Sequence, residues 1–177
     1  MMTSKIVQVF LLFLLGTTDH RLATASSSSC SDSSSDSSDE TIDASGDFTV
    51  DINPLTFTVV PNGIDKCDIT VDGTITFEGT IEGTATGTTR ATIFGTCEEF
   101  LSTQPGDLDD EFEADLEFTG FVGCTPVTAD VTYSGTTTAP GGQIDAKFIF
   151  TGGIVGEADV NAILGVGGTY EGEISKA

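Results

Sequence analysis

The chain has 177 residues, 28 of them acidic and only six basic, for a formal net charge of −22 at neutral pH. Such a polyanion repels phosphate backbones and anionic lipid surfaces, which excludes nucleic acid and charged membranes as natural partners. The length suits a single domain that buries roughly 68–70% of its unfolded surface, so its core need not depend on disulfides.

The first 25 residues read as a secretion signal. Lys5 supplies the positive flank, Ile6 to Leu15 (IVQVFLLFLL) an apolar core, and Ala23-Thr24-Ala25 the small residues of a cleavage site. The apolar run is too short for the about 20 residues a spanning helix needs. Cleavage removes Lys5, Arg21 and Asp19, so the expected mature chain is one charge more negative and keeps only Lys66, Arg90, Lys147 and Lys176 as basic residues. The only histidine, His20, leaves with the signal.

Ser26 to Glu40 (SSSSCSDSSSDSSDE) has no apolar residue besides Cys30 and is too poor in burial to offset the entropy of ordering. Residues 26–46 are therefore expected to form an acidic, Ser-rich stalk, with a barrel domain over 47–177. From Asp47 the pattern has period two: Phe48, Val50 and Ile52; then Leu55, Phe57 and Val59; then a turn at Asn62-Gly63. Cys67, Ile69, Val71, Ile75, Phe77 and Ile81 share one parity. Residues 74–88 (TITFEGTIEGTATGT) continue it, with Gly79, Gly83 and Gly87 in the apolar row. Read as one strand, this stretch is roughly 45–50 Å long and must bend, the glycines permitting tight coiling.

Further alternating runs carry Ala91 and Ile93; Phe112, Ala114, Leu116, Phe118 and Val122; Val127, Ala129, Val131 and Tyr133; and Ile144, Ala146, Phe148 and Phe150. Helical spacing appears only weakly, over Ala158 to Leu164. Seven or eight strands with one apolar face define an all-β fold. A small closed antiparallel β-barrel of about eight strands is preferred to a β-sandwich because of the expected bend.

Cys30, Cys67, Cys97 and Cys124 are the disulfide candidates, and secretion makes pairing the default. Their spacings contain no CxxC, which argues against structural zinc. Cys67 meets Cys97 if 67–87 is one ascending strand, and meets Cys124 if Asp72-Gly73 makes a hairpin; the first pairing is preferred.

Without histidine in the expected mature chain, Ser-His-Asp and Cys-His catalysis is excluded. What remains is carboxylate, hydroxyl and a candidate cavity. Asp107, Asp109, Asp110 and Glu111 crowd one loop with oxygen ligands of the kind calcium takes, although the spacing is not that of an EF-hand. No other cofactor is expected. Candidate cavity-lining residues are Phe77, Ile81, Phe112 and Leu116, together with Phe118, Phe148, Phe150 and Tyr170.

The run Phe77-Glu78-Gly79-Thr80-Ile81-Glu82-Gly83, with Gly152-Gly153-Ile154 and Gly165-Val166-Gly167-Gly168-Thr169-Tyr170-Glu171-Gly172, resembles the small Gly-rich barrels related to allene oxide cyclase. That group includes dirigent proteins and bacterial barrels of unknown function. The resemblance covers roughly residues 65–177 and implies an eight-stranded barrel whose apolar cavity guides or cyclises a small organic molecule. No position matches a catalytic residue of the family. The expectation is thus a secreted, non-catalytic barrel that binds a small apolar ligand. The alternatives are a barrel cyclase or isomerase, marked by Tyr133 or Tyr170 beside a carboxylate of raised pKa, and an acidic matrix or wall protein that binds extracellular cations. The sequence does not define an oligomeric state.

Overall fold

A computed structural model describes residues 41–177. The expected signal (1–25), Cys30 and the stalk as far as Glu40 lie outside the described residues. Nine strands and one short helix follow in chain order: β1 (Thr41–Ile52), β2 (Thr58–Pro61), β3 (Cys67–Gly79), β4 (Ile81–Ile93), α1 (Cys97–Ser102), β5 (Asp110–Val122), β6 (Thr125–Thr138), β7 (Gln143–Gly152), β8 (Ile154–Ile163) and β9 (Gly167–Lys176).

From β3 to β9 each strand pairs antiparallel with the next. β1 closes the ring by serving two neighbours. Its first part pairs with β9, from Thr41 opposite Ser175 to Phe48 opposite Gly168, and its second with β3, from Gly46 opposite Gly79 to Ile52 opposite Gly73. The result is a closed eight-stranded antiparallel barrel, to which β2 adds an extra strand on the outer part of β3. Closure leaves no free edge in the ring itself.

The period-two pattern places side chains as expected. Phe48, Ile75, Phe77, Phe118, Val131, Phe148, Phe150, Tyr170 and Ile174 share the buried interior, while the intervening Thr, Asp and Glu face out. β1 starts at Thr41, so residues 41–46, assigned by sequence to the stalk, belong to the barrel. Ile42, Ala44 and Gly46 continue the inward parity of Phe48, and Ala44 is fully buried.

Residues 74–88 are not one bent strand. Gly79 and Thr80 form the corner of the β3–β4 hairpin, which pairs Phe77 with Gly83 and Thr74 with Thr86. Gly79 (φ 122°) and Gly83 (φ 148°) adopt backbone angles that residues with a Cβ avoid, and this lets the chain reverse within so few residues. All three glycines of the run also relieve close strand packing: a Cβ would collide with the Ser45 carbonyl of β1 at Gly79, with the Thr119 carbonyl of β5 at Gly83 and with the Asp115 carbonyl of β5 at Gly87. The even-numbered Thr and Glu residues therefore divide between two adjacent outer rows instead of extending along one ladder.

Residues 158–163, where helical spacing is weak, are strand in β8. The one helix among the described residues, α1, went unanticipated. Thr96 caps it, accepting from the Glu99 N–H at 3.1 Å, while the Glu99 carboxylate accepts from the Thr96 N–H at 2.8 Å. The Thr96 N–H, and then the Thr96 hydroxyl at 3.0 Å, donate to the Glu99 carboxylate and hold it below its usual range.

Cys67 and Cys97 form a disulfide, with Cα atoms 5.0 Å apart. The pairing is the preferred one, but the reason differs. The hairpin brings Ile93 opposite Cys67, and Cys97, four residues on, folds back over it. Cys124 is also disulfide-bonded.

Tyr170 on β9 reaches over Gly46 of β1 and pins the hairpin corner. Its hydroxyl accepts from the Ile81 N–H at 3.0 Å and donates to the carbonyl of Ile81 at 3.2 Å or of Glu78 at 3.4 Å. Tyr170→Phe leaves a buried N–H without a partner and is expected to cost about 2 kcal/mol in urea unfolding, with an unchanged β spectrum. A loss near zero would mean that the corner holds without the tyrosine.

Candidate functional site

Two regions of the interior differ in how they are filled. In the middle and toward the β3–β4 corner, Phe77, Phe118, Phe148 and Phe150 are at most 1% exposed. Their rings pack together, with Phe77 5.0 Å from Phe148 and 5.8 Å from Phe118. Ile81 and Tyr170 belong to the same packed mass, so these six candidate cavity residues act as core. Toward the disulfide end the inward residues become smaller. One row across adjacent strands reads Ala91, Phe112, Gly135, Ala146 and Val160. Here Val71, Ala91, Tyr133 and Ile144 keep 6–9% of their surface accessible. Of the candidate lining residues, Phe112 is partly buried at this end and Leu116 keeps 5%.

The next row outward reads Ile93, Asp110, Thr137, Ile144, Ala162 and Gly168, and it sets two polar residues into the apolar rim. Asp110 is 6% and Thr137 2% exposed, the two buried polar or charged residues among those described. Tyr133 lies two inward positions deeper on β6, beyond Gly135, with its ring 4.6 Å from Phe148 and 4.9 Å from Phe112. The Tyr133 and Thr137 hydroxyls are both buried without a hydrogen-bond partner. Buried polar groups are nearly always satisfied, so two orphans beside a buried carboxyl form an exception that calls for a cause.

Burial pushes the Asp110 carboxyl up to about 6. The Thr137 hydroxyl, close to it but not placed for a proper hydrogen bond, opposes the rise, and the charge of Asp109 adds to it. Burial, and then the charge of Asp110, raises the Tyr133 hydroxyl as well. A carboxyl that titrates near neutrality beside a neutral phenol is able to exchange protons or to receive a cation.

Three loops form a hydrogen-bonded collar over this rim. Asp109 accepts from the Ala139 N–H at 2.7 Å, the Gly141 N–H donates to Gly106 at 3.0 Å, and the Leu164 N–H donates to Gly142 at 2.9 Å. The collar accounts for the loop carboxylates. Asp107 accepts from the Gln104 N–H and Asp109 from Ala139, while Asp110 turns inward and Glu111 outward by strand alternation. The four candidate calcium ligands therefore do not converge, and among the described residues no group of three or more His, Cys, Asp or Glu side chains is placed to hold a metal.

A separate groove of about 700 Å³ lies on the outer wall, between the end of β1 and the β3–β4 pair, lined by Asp51, Asn53, Asp72, Thr74, Thr86 and Thr88. It contains none of the residues singled out as cavity lining. Of the inner site, the sequence analysis named Asp110 only as a metal candidate, named Tyr133 as a phenol to be found beside a raised carboxyl, and missed Thr137. An acid at inward parity in an otherwise apolar row is the signal that finds Asp110 from sequence.

The fold defines a class: closed, eight-stranded antiparallel barrels. Within it, the chain is similar to a solved protein of unknown function from the DUF3224 family of Shewanella oneidensis, with a TM-score of 0.56 and 14% identity over 78% of this chain and 98% of that one. No protein-family model and no curated protein matches the chain. The likeness supports the barrel, and no cyclase or dirigent relationship is shown.

Proposed function

We propose that the chain is a secreted, non-catalytic barrel protein that holds a small, largely apolar molecule beneath the collar at the Asp110 end. The observation that carries this reading is the pair of unpartnered buried hydroxyls, Tyr133 and Thr137, beside the buried Asp110 carboxyl. A polar atom on a bound molecule would satisfy them, and the accessible apolar surfaces of Val71, Ala91 and Ile144 would receive its body. Secretion accords with the disulfide-bonded cysteines.

Native mass spectrometry of the disulfide-intact protein, together with methyl NMR titration of short-chain alcohols, tests the reading. Shifts are expected at Ala91, Ala146 and Ile144, with little change at Ile154 or Ile174. A shift map confined to the outer groove, or no shift at all, would overturn it.

A barrel isomerase is the second reading, favoured by the raised Asp110 carboxyl beside Tyr133. It requires turnover of a bound compound, with Asp110 moving the proton. The binding reading requires the compound to be recovered unchanged.

A further inference from the structure

The Asp110 carboxyl has no counter-charge among the described residues, which have none to spare. The described residues contain four basic side chains, each engaged elsewhere. Arg90 pairs with Asp115 at 2.8 Å and Lys147 with Glu157 and Asp159 at 3.0 and 3.3 Å. Lys66 lies over the Phe94 ring, and Lys176 donates to Thr125. Buried carboxylates are ordinarily paired or neutralised, so an unpaired one is where an incoming cation is best stabilised. The remaining oxygens match such a cation. The Tyr133 and Thr137 hydroxyls are unpartnered acceptors, and with the Asp110 carboxylate they give three oxygen sites for the three N–H donors of a primary ammonium. The faces of Tyr133 and Phe112 add aromatic surface beside it. The acidic exterior concentrates cations at the protein surface.

We propose that the Asp110 end of the barrel interior takes a small amphiphilic primary amine, its ammonium on Asp110, Tyr133 and Thr137 and its hydrocarbon body along the apolar wall toward Phe112. This rests on the barrel-binding reading and names its ligand class. The groups acting on Asp110 are few. Asp109 in the collar and Tyr133 on β6 are the ionisable ones, and Ile93 and Thr137 are its uncharged register neighbours on β4 and β6. Ionisation of Asp110 therefore sets the pH response. The amine stays protonated throughout, so binding strengthens as pH rises through the Asp110 titration.

The test titrates hexylamine, hexanol and hexanoate, which share one hydrocarbon body, into the intact protein by calorimetry, with NMR to place the contact. Hexylamine is expected to bind one to one, about tenfold tighter near pH 7.5 than near pH 5, and Asp110→Asn should weaken it by about tenfold or more while weakening hexanol much less. Thr137→Val should weaken the amine by a smaller factor. Glu113→Gln, on the outer face of β5, should have no effect, and an equal loss there would reveal surface adsorption and overturn the proposal. If hexanol binds as tightly as hexylamine at the same position, the amine assignment fails and the binding reading stands. If none of the three binds inside the barrel, both fail.

Discussion

Asp110→Asn is expected to make the protein more stable at pH 7, by on the order of 2–3 kcal/mol, and to change little near pH 4. Burial raises the folded-state carboxyl from the model-compound 3.8 to about 6. Between those values the folded chain holds a proton that the unfolded chain has released, so stability falls as pH rises through this window and stays low above it. Each pKa unit corresponds to about 1.36 kcal/mol, and burial of the amide offsets part of the gain. Urea unfolding of both proteins at the two pH values checks this, because the other carboxylates cancel in the difference between variants. Equal stabilities at pH 7 would mean that Asp110 ionises freely and that the rim is wet. The expected result also bears on function. A side chain that weakens the fold at neutral pH, beside two unsatisfied hydroxyls, is what a binding site costs the protein that carries it.

Strand parity was legible in the sequence because each strand has one dry face and one wet one. Phe48, Phe77, Phe118 and Phe148 all fall inward where alternation puts them. Closure was legible only through glycine, and that signal has two meanings. Gly83 and Gly87 relieve close packing against β5, as the idea of a tightly coiled sheet requires, whereas Gly79, with positive φ, stands at the corner where the chain turns around. Alternation cannot separate these cases, because a short hairpin preserves parity across its corner: Phe77 and Ile81 face inward on different strands. The start of β1 was lost to composition, since Thr41 to Gly46 looks polar and only its partners on β9 reveal Ile42 and Ala44 as inward. The candidate site was half legible. Asp110 was named only as one of four loop acids, because its inward direction depends on where β5 begins. Thr137 cannot be told from the exposed threonines around it until the register with Asp110 is known.

Replacing both Cys67 and Cys97 by alanine is expected to lower stability by about 3–4 kcal/mol. The bond closes a loop with a sequence separation of 30, and removing it restores the entropy of that loop to the unfolded chain. Much of the loop is the β3–β4 hairpin, whose ladder runs from Phe77 opposite Gly83 to Cys67 opposite Ile93 and survives without sulfur. The segment that relies on the bond is the one beyond Ile93, where α1 has no buried residue and so little apolar contact of its own. Hydrogen exchange should therefore rise most from Phe94 to Leu108, which leads into the collar over Asp110, and least in β5 to β8. The double variant is the informative one, because a lone Cys67 or Cys97 could exchange with the disulfide of Cys124 and scramble the result. If exchange rises evenly around the barrel, the disulfide supports the whole ring. If it rises only from Phe94 to Leu108, its local role is to hold the collar in place above the candidate site.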